Sequence, residues 1–212
     1  HQRCATLKMR ILLTTFILSI SLFAYSQEYE TEEVIRTAKS YLEDAVGSEL
    51  IVYFELDSNS YYEYRNSFGK NKWERILNGK KTKGNFVNGN DIRFTLKHPD
   101  FLFAPKSYTN VYVRLDSFLK LAESINLDRI PKFLLTNSKS NWLTKTQVDS
   151  IATSQNLKKA VKPLTSNLNY DYEQKKYFWT VFNTIYAEKC FSDCEILDIN
   201  PINGAILKRE ET

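Results

Sequence analysis

Histidine is nearly missing from this chain, which removes a class of chemistry before any motif is sought. The 212 residues hold two, His1 and His98, too few for an imidazole-rich metal centre. Methionine occurs once, as Met9, so residues 1–8 are expected to be upstream sequence outside the natural protein. Glycine and proline are scarce, at 6 and 5, while tyrosine and phenylalanine number 13 each. That balance argues for a folded, strand-rich protein rather than a disordered one. Neither a glycine-rich phosphate loop nor a metalloprotease helix motif occurs.

Charge of one sign is also lacking once the N-terminus is set aside. Arg10 and the apolar run from Ile11 to Ala24, closed by Ala24-Tyr25-Ser26, carry the basic start, apolar middle and small-residue end of a secretory signal over residues 9–26. The run is shorter than the roughly 20 apolar residues of a spanning helix; an uncleaved anchor and a buried core helix are the other readings. No cysteine follows it to take a lipid, so a periplasmic or extracellular product is expected, with no stable membrane insertion after cleavage. From residue 27 on the chain carries 26 basic and 25 acidic residues, a net +1. Nothing in that balance calls for nucleic acid or an anionic membrane as partner of the whole molecule.

Three cysteines are present, and Cys4 lies in the segment expected to be removed. Cys190 and Cys194 remain, an even pair in a chain bound for an oxidising compartment, and a disulfide across a hairpin loop is their simplest use. A metal site would need more soft or imidazole ligands than lie nearby.

Thr31–Ala45 has apolar residues at helical spacing, acidic Glu32 and Glu33 at its start and Gly47 after its end. Leu50–Leu56 alternates, and with Tyr61–Phe68 it reads as a β-hairpin, the second strand placing Tyr62 and Tyr64 on a half-buried face or a binding surface. Lys70–Asp91 is irregular, with Lys70, Lys72, Arg75, Lys80, Lys81 and Lys83 crowded around Trp73. Such a run holds a phosphate or a base, or is a solvated loop or protruding hairpin. Ile92–Leu96 and Val111–Leu115 read as strands, and Asp116 caps an expected helix over Phe118–Ile125. Arg129–Asn141 has the composition of a linker, dividing an N-terminal region, 27–140, from a C-terminal one, 141–212.

In the last third, Thr144 and Gln147 have capping-box spacing and Leu143 and Val148 that of a hydrophobic staple. Lys159–Thr165 is expected as a strand, with Pro163 at an edge or bulge. Tyr177–Lys189 is the clearest strand, with Trp179, Val181 and Ile185 on one face and Phe178, Phe182 and Tyr186 on the other. A helix covers one face; the first region, a partner, or a second copy of the chain as a homodimer must meet the other. Glu195–Asn200 follows as a strand, and Asn203-Gly204 supplies a tight turn into Ala205-Ile206-Leu207.

The helix with Ile151-Ala152, the strand with Phe178-Trp179-Thr180-Val181 and the closing Ile199-Asn200-Pro201-Ile202-Asn203-Gly204-Ala205-Ile206 resemble the PepSY family of exported bacterial domains. Asn200 in place of Asp, Pro201 after it, and the cysteine pair depart from the commoner pattern. The resemblance implies a helix packed on a small antiparallel sheet and a role in binding or restraining another protein. Thr31-Glu32-Glu33-Val34 loosely echoes Thr144–Val148, and the resemblance so extended implies a tandem like the β-lactamase-inhibitor-type folds. The expected class is α+β: that helix-on-sheet module, preceded by a second α+β region with several antiparallel strands.

No catalytic residue, cofactor or metal is assigned. His98 with Asp100 is half of a catalytic set or a surface loop before Pro99, and Glu195 with Asp198, or Asp171 with Glu173, are acid–base pairs or solvated carboxylates. The favoured function is an exported non-catalytic binding protein, an inhibitor or modulator of an extracytoplasmic enzyme such as a protease, contacting a protein partner through Phe178, Phe182, Tyr186, Tyr62 and Tyr64. The alternatives are a hydrolase or small-ligand binder with a pocket between the two regions, and a structural envelope component.

Overall fold

The structure, a computed structural model, describes residues 27–101 and 104–212. The secretory signal, its cleavage site and Met9 lie outside the described residues.

Helix α1 (Thr31–Val46) forms because Val34, Ala38, Leu42 and Val46 recur every four residues, and all four are buried. Burying each Val or Leu stabilises by about 1.5–3 kcal/mol. The helix start is tied down by Thr31, whose hydroxyl donates to the carbonyls of Leu77 (2.7 Å) and Lys80 (2.9 Å). Strands β1 (Phe54–Leu56), β2 (Tyr61–Arg65), β3 (Asn71–Arg75), β4 (Asn85–Leu96) and β5 (Asn110–Leu115) make an antiparallel sheet around β4, with the short helix α2 (Lys106–Thr109) leading into β5. The long β4 pairs with β5 along one edge and with β1 and then β2 along the other. Helix α1 lies against β4 and β5.

Helix α3 (Lys132–Leu135) follows, then α4 (Lys145–Thr153) and four strands paired in sequence order, β6 (Thr165–Asp171), β7 (Lys176–Ala187), β8 (Ser192–Ile199) and β9 (Ile206–Glu211). The capping box at Thr144 and Gln147 is formed, fixing the start of α4. Its Val148 and Ala152 are buried on the sheet face that also buries Leu168, Trp179, Val181, Leu197 and Ile199.

The two sheets share one core cluster. At the joint, Tyr177 sits with ring centroids 5.6 Å from Phe101, 5.0 Å from Trp142 and 4.8 Å from Tyr170. Its hydroxyl donates to the Arg129 carbonyl at 2.7 Å, and burial pushes its phenol well above the ordinary tyrosine value.

The α+β expectation is corrected. Nine strands in two antiparallel sheets dominate, and helix accounts for only about 20 % of the protein among the described residues. Four elements differ from the expectation. Leu50 to Leu56 and Tyr61 to Phe68 are not a hairpin: residues 51–53 form a 3-10 turn, and β1 and β2 run in the same direction along β4 as one broken strand. Buried Asp57 and Ser60 make the break, Ser60 Oγ donating to the Asp57 carbonyl at 2.8 Å. Phe118–Ile125 is not helical, because Asp116 Oδ1 accepts both the Phe118 and Lys120 N–H groups at 2.8 Å and Leu119 takes a left-handed φ of 57°. Lys159–Leu164 is irregular and the strand begins only at Thr165. The linker-like segment supplies buried Ile130, Phe133 and Leu134 to the core.

Candidate functional site

Strand side chains alternate between faces, so the register of β6–β9 settles which residues share a surface. Trp179 and Val181 face α4; Phe178, Thr180 and Phe182 face the other way. Phe182 lies between Thr165 on β6 and Ile196 on β8, and Thr180 between Asn167 and Asp198. The centre of this face is a hydrogen-bonded chain: Asn169 Nδ2 donates to Thr180 Oγ1, which donates to Asp198 Oδ1, each at 2.8 Å. Phe178, Phe182 and Ile196 are half-buried, yet none joins the core cluster or packs against it. Among the described residues no helix or second sheet lies across them.

Tyr186, beyond a bulge in β7 at Ile185, is 41 % exposed. Its ring is 5.7 Å from that of Phe191 and its hydroxyl meets Glu188. Tyr62 and Tyr64 belong elsewhere. Tyr62 is 1 % exposed in the core of the first sheet, its hydroxyl accepting the Lys83 N–H at 2.8 Å, and Tyr64 packs against that core. They face inward, so they line no contact surface.

The expected disulfide is not formed: Cys190, exposed, and Cys194, half-buried, are both free. Cys190 lies in the turn that the Glu188 N–H closes on the Phe191 carbonyl at 2.9 Å, while Cys194 is the third residue of β8, opposite Thr184. An extended strand advances about 3.3 Å per residue, carrying Cys194 away from a partner that must lie within about 7 Å between Cα atoms. The support that a cysteine pair lent to an oxidising compartment falls with it.

Asn203 and Gly204 form the expected turn. Gly204 has φ +72°, and a Cβ there would stand 2.6 Å from Ile151 Cδ1 on α4. Asn200 Oδ1 accepts the Ile202 N–H at 2.8 Å, and the Leu143 N–H donates to the Pro201 carbonyl at 2.6 Å. The closing segment thus anchors the start of α4.

The acid–base candidates do not converge. Glu195 and Asp198 lie on opposite faces of β8. Glu195, 4 % exposed, accepts from Lys158 N at 2.7 Å and Asn183 Nδ2 at 3.1 Å and pairs with Arg209 at 2.6 Å. Burial by itself raises its carboxyl, but these three partners hold it below the ordinary carboxylate value. Asp171 Oδ1 accepts the Glu173 and Gln174 N–H groups, a turn-closing role. His98 Nδ1 accepts the Asp100 backbone N–H at 3.2 Å, so the Asp100 carboxylate does not orient the ring. His98 lines a cavity of about 690 Å³ with Glu49, Tyr53, Asp100 and Asn137. That cavity lies between the end of α1 and the α3 segment, and a second, of about 640 Å³, is lined from both regions, by Pro131 and Phe133 on one side and Trp142, Tyr177 and Pro201 on the other, without His98. Among the described residues no cluster of three or more metal-ligating side chains occurs.

What sequence reading missed is the polar chain Asn169–Thr180–Asp198; the alternation of small polar residues with Phe178 and Phe182 in β7 was its only signal. Compared with family models, with curated proteins and with solved structures, the chain matches none.

Proposed function

We propose that this chain is an exported, non-catalytic binding protein that contacts an extracytoplasmic enzyme through the uncovered face of β6–β9. One observation carries the reading: Phe178, Phe182 and Ile196 stand half-buried on a face that no other element crosses among the described residues, and they lie outside the core cluster. Aromatic anchors are what protein interfaces use for most of their affinity, and here Phe178 and Phe182 flank a polar centre along β7. Asn169, Thr180 and Asp198 provide that polar setting with their hydrogen bonds already made, so a partner desolvates few unpaired groups there. The sequence resemblance to PepSY domains supports a role in restraining another protein.

The test is a double variant, Phe178→Ser with Phe182→Ser, made in a face whose residues lie outside the core. Its circular dichroism should match the parent. Its affinity for the partner enzyme should fall by at least about thirtyfold, the loss of one strong anchor. Unchanged affinity would contradict the reading.

A further inference from the structure

The charge that is nearly balanced over the molecule is not balanced locally. Residues 61–83 hold seven basic and two acidic side chains, a net +5, while the remainder from residue 27 on is net −4. Glu74 is paired with Lys83 at 2.9 Å and Glu63 with Asn88 at 2.6 Å. Arg75 is held by Tyr61, its Nε donating to the hydroxyl at 2.9 Å with the guanidinium over the ring, and Arg65 by Asn71 at 3.3 Å. Neither arginine is matched by a carboxylate within ion-pair reach among the described residues.

The hairpin between β2 and β3 ends in a built tip. Asn66 Oδ1 accepts the N–H groups of Phe68 (3.0 Å) and Lys70 (2.9 Å), and the Gly69 N–H donates to the Asn66 carbonyl at 2.9 Å with Gly69 at φ +73°. This turn holds Phe68 out at 85 % exposure, and Trp73, farther down β3, is 54 % exposed. An ordered turn presenting a bare phenylalanine, with a tryptophan behind it and cations on both strands, has the chemistry of an interfacial membrane contact.

We propose that the β2–β3 hairpin docks the protein on an anionic lipid surface. Phe68 enters the boundary between headgroups and acyl chains, Trp73 sits at headgroup level, and Lys70 at the turn meets the lipid phosphates with Arg65 and Arg75, which share the Trp73 face of the hairpin. Charge alone fits any polyanion, but an apolar side chain projecting beyond the cations fits a bilayer better than a phosphate backbone. The contact is peripheral: among the described residues no helix is long and apolar enough to cross a membrane.

The protein starting at Gln27, which carries every residue of the core cluster, is mixed with vesicles of phosphatidylcholine alone or with added phosphatidylglycerol and sedimented. Binding is expected only with phosphatidylglycerol, weakening about fivefold for Lys70→Ser and about tenfold for Phe68→Ser. Emission from exposed Trp73 should shift to the blue on binding, and Trp73→Phe should abolish the shift. Val52→Ser, which removes another exposed apolar side chain, should leave binding unchanged. No binding, equal binding by Phe68→Ser, or equal affinity for soluble polyphosphate or DNA would overturn the proposal.

Discussion

At the scale of single residues, two side-chain environments make sharp demands. Gly204 combines a left-handed backbone with contact against Ile151, whereas Gly79 has the same φ of +72° and nothing within 4 Å of a built Cβ. Gly79→Ala should cost about 1–2 kcal/mol from backbone conformation alone. Gly204→Ala should cost more in urea unfolding, and the difference reads the packing of the closing turn on α4. Glu195 makes the second demand. Its folded-state pKa is depressed by Arg209, Lys158 and Asn183 against the upward push of burial. Its contribution is therefore complete above the unfolded carboxylate value and lost as pH falls through the folded one. Glu195→Gln should lower stability at pH 7 by about 1–3 kcal/mol, and the gap from the parent should begin to narrow only once the pH falls below about 4. A gap of constant size across that range would assign the effect to packing rather than charge.

At the scale of elements, local signals were legible where the partner lies within a few residues. The Thr144–Gln147 capping box is formed and Val34, Ala38 and Leu42 of the expected helical stripe are buried, because each depends on one turn of helix; Ala45, expected as the last apolar residue, is exposed and Val46 beyond it is buried instead. Asp116 misled for a related reason: a side chain that caps a helix also closes a turn, and the choice is made by Leu119 turning left-handed. The broken strand β1–β2 was not legible, since its pairing is dictated by β4, some twenty to forty residues away in sequence. Tyr62 and Tyr64 face inward for the same nonlocal reason. The cysteines belong at this scale as well. With Cys190 in the turn and Cys194 in β8, a thiol reagent under non-reducing conditions should titrate two thiols in protein starting at Gln27, which lacks Cys4, Cys190 faster than Cys194. Reductant should leave the melting temperature unchanged. A chain with no free thiol would reinstate the disulfide.

At the scale of the whole molecule, the same aromatic richness serves three ends. Phe101, Trp142 and Tyr177 join the two sheets into one core, Phe68 and Trp73 project from a basic hairpin, and Phe178 and Phe182 stand on a face left uncovered among the described residues. Composition announced an aromatic protein but not this division of labour, because side-chain direction within a strand follows from register. The most direct measurement of the central claim places a photo-reactive residue at position 182, and separately at the exposed Val52, in the protein produced by its own cell. Irradiation should yield a heteromeric adduct with an extracytoplasmic enzyme at 182, lost with Phe178→Ser, and none at 52. Equal labelling at both positions, no adduct, or an adduct of two copies of this chain alone would contradict the account.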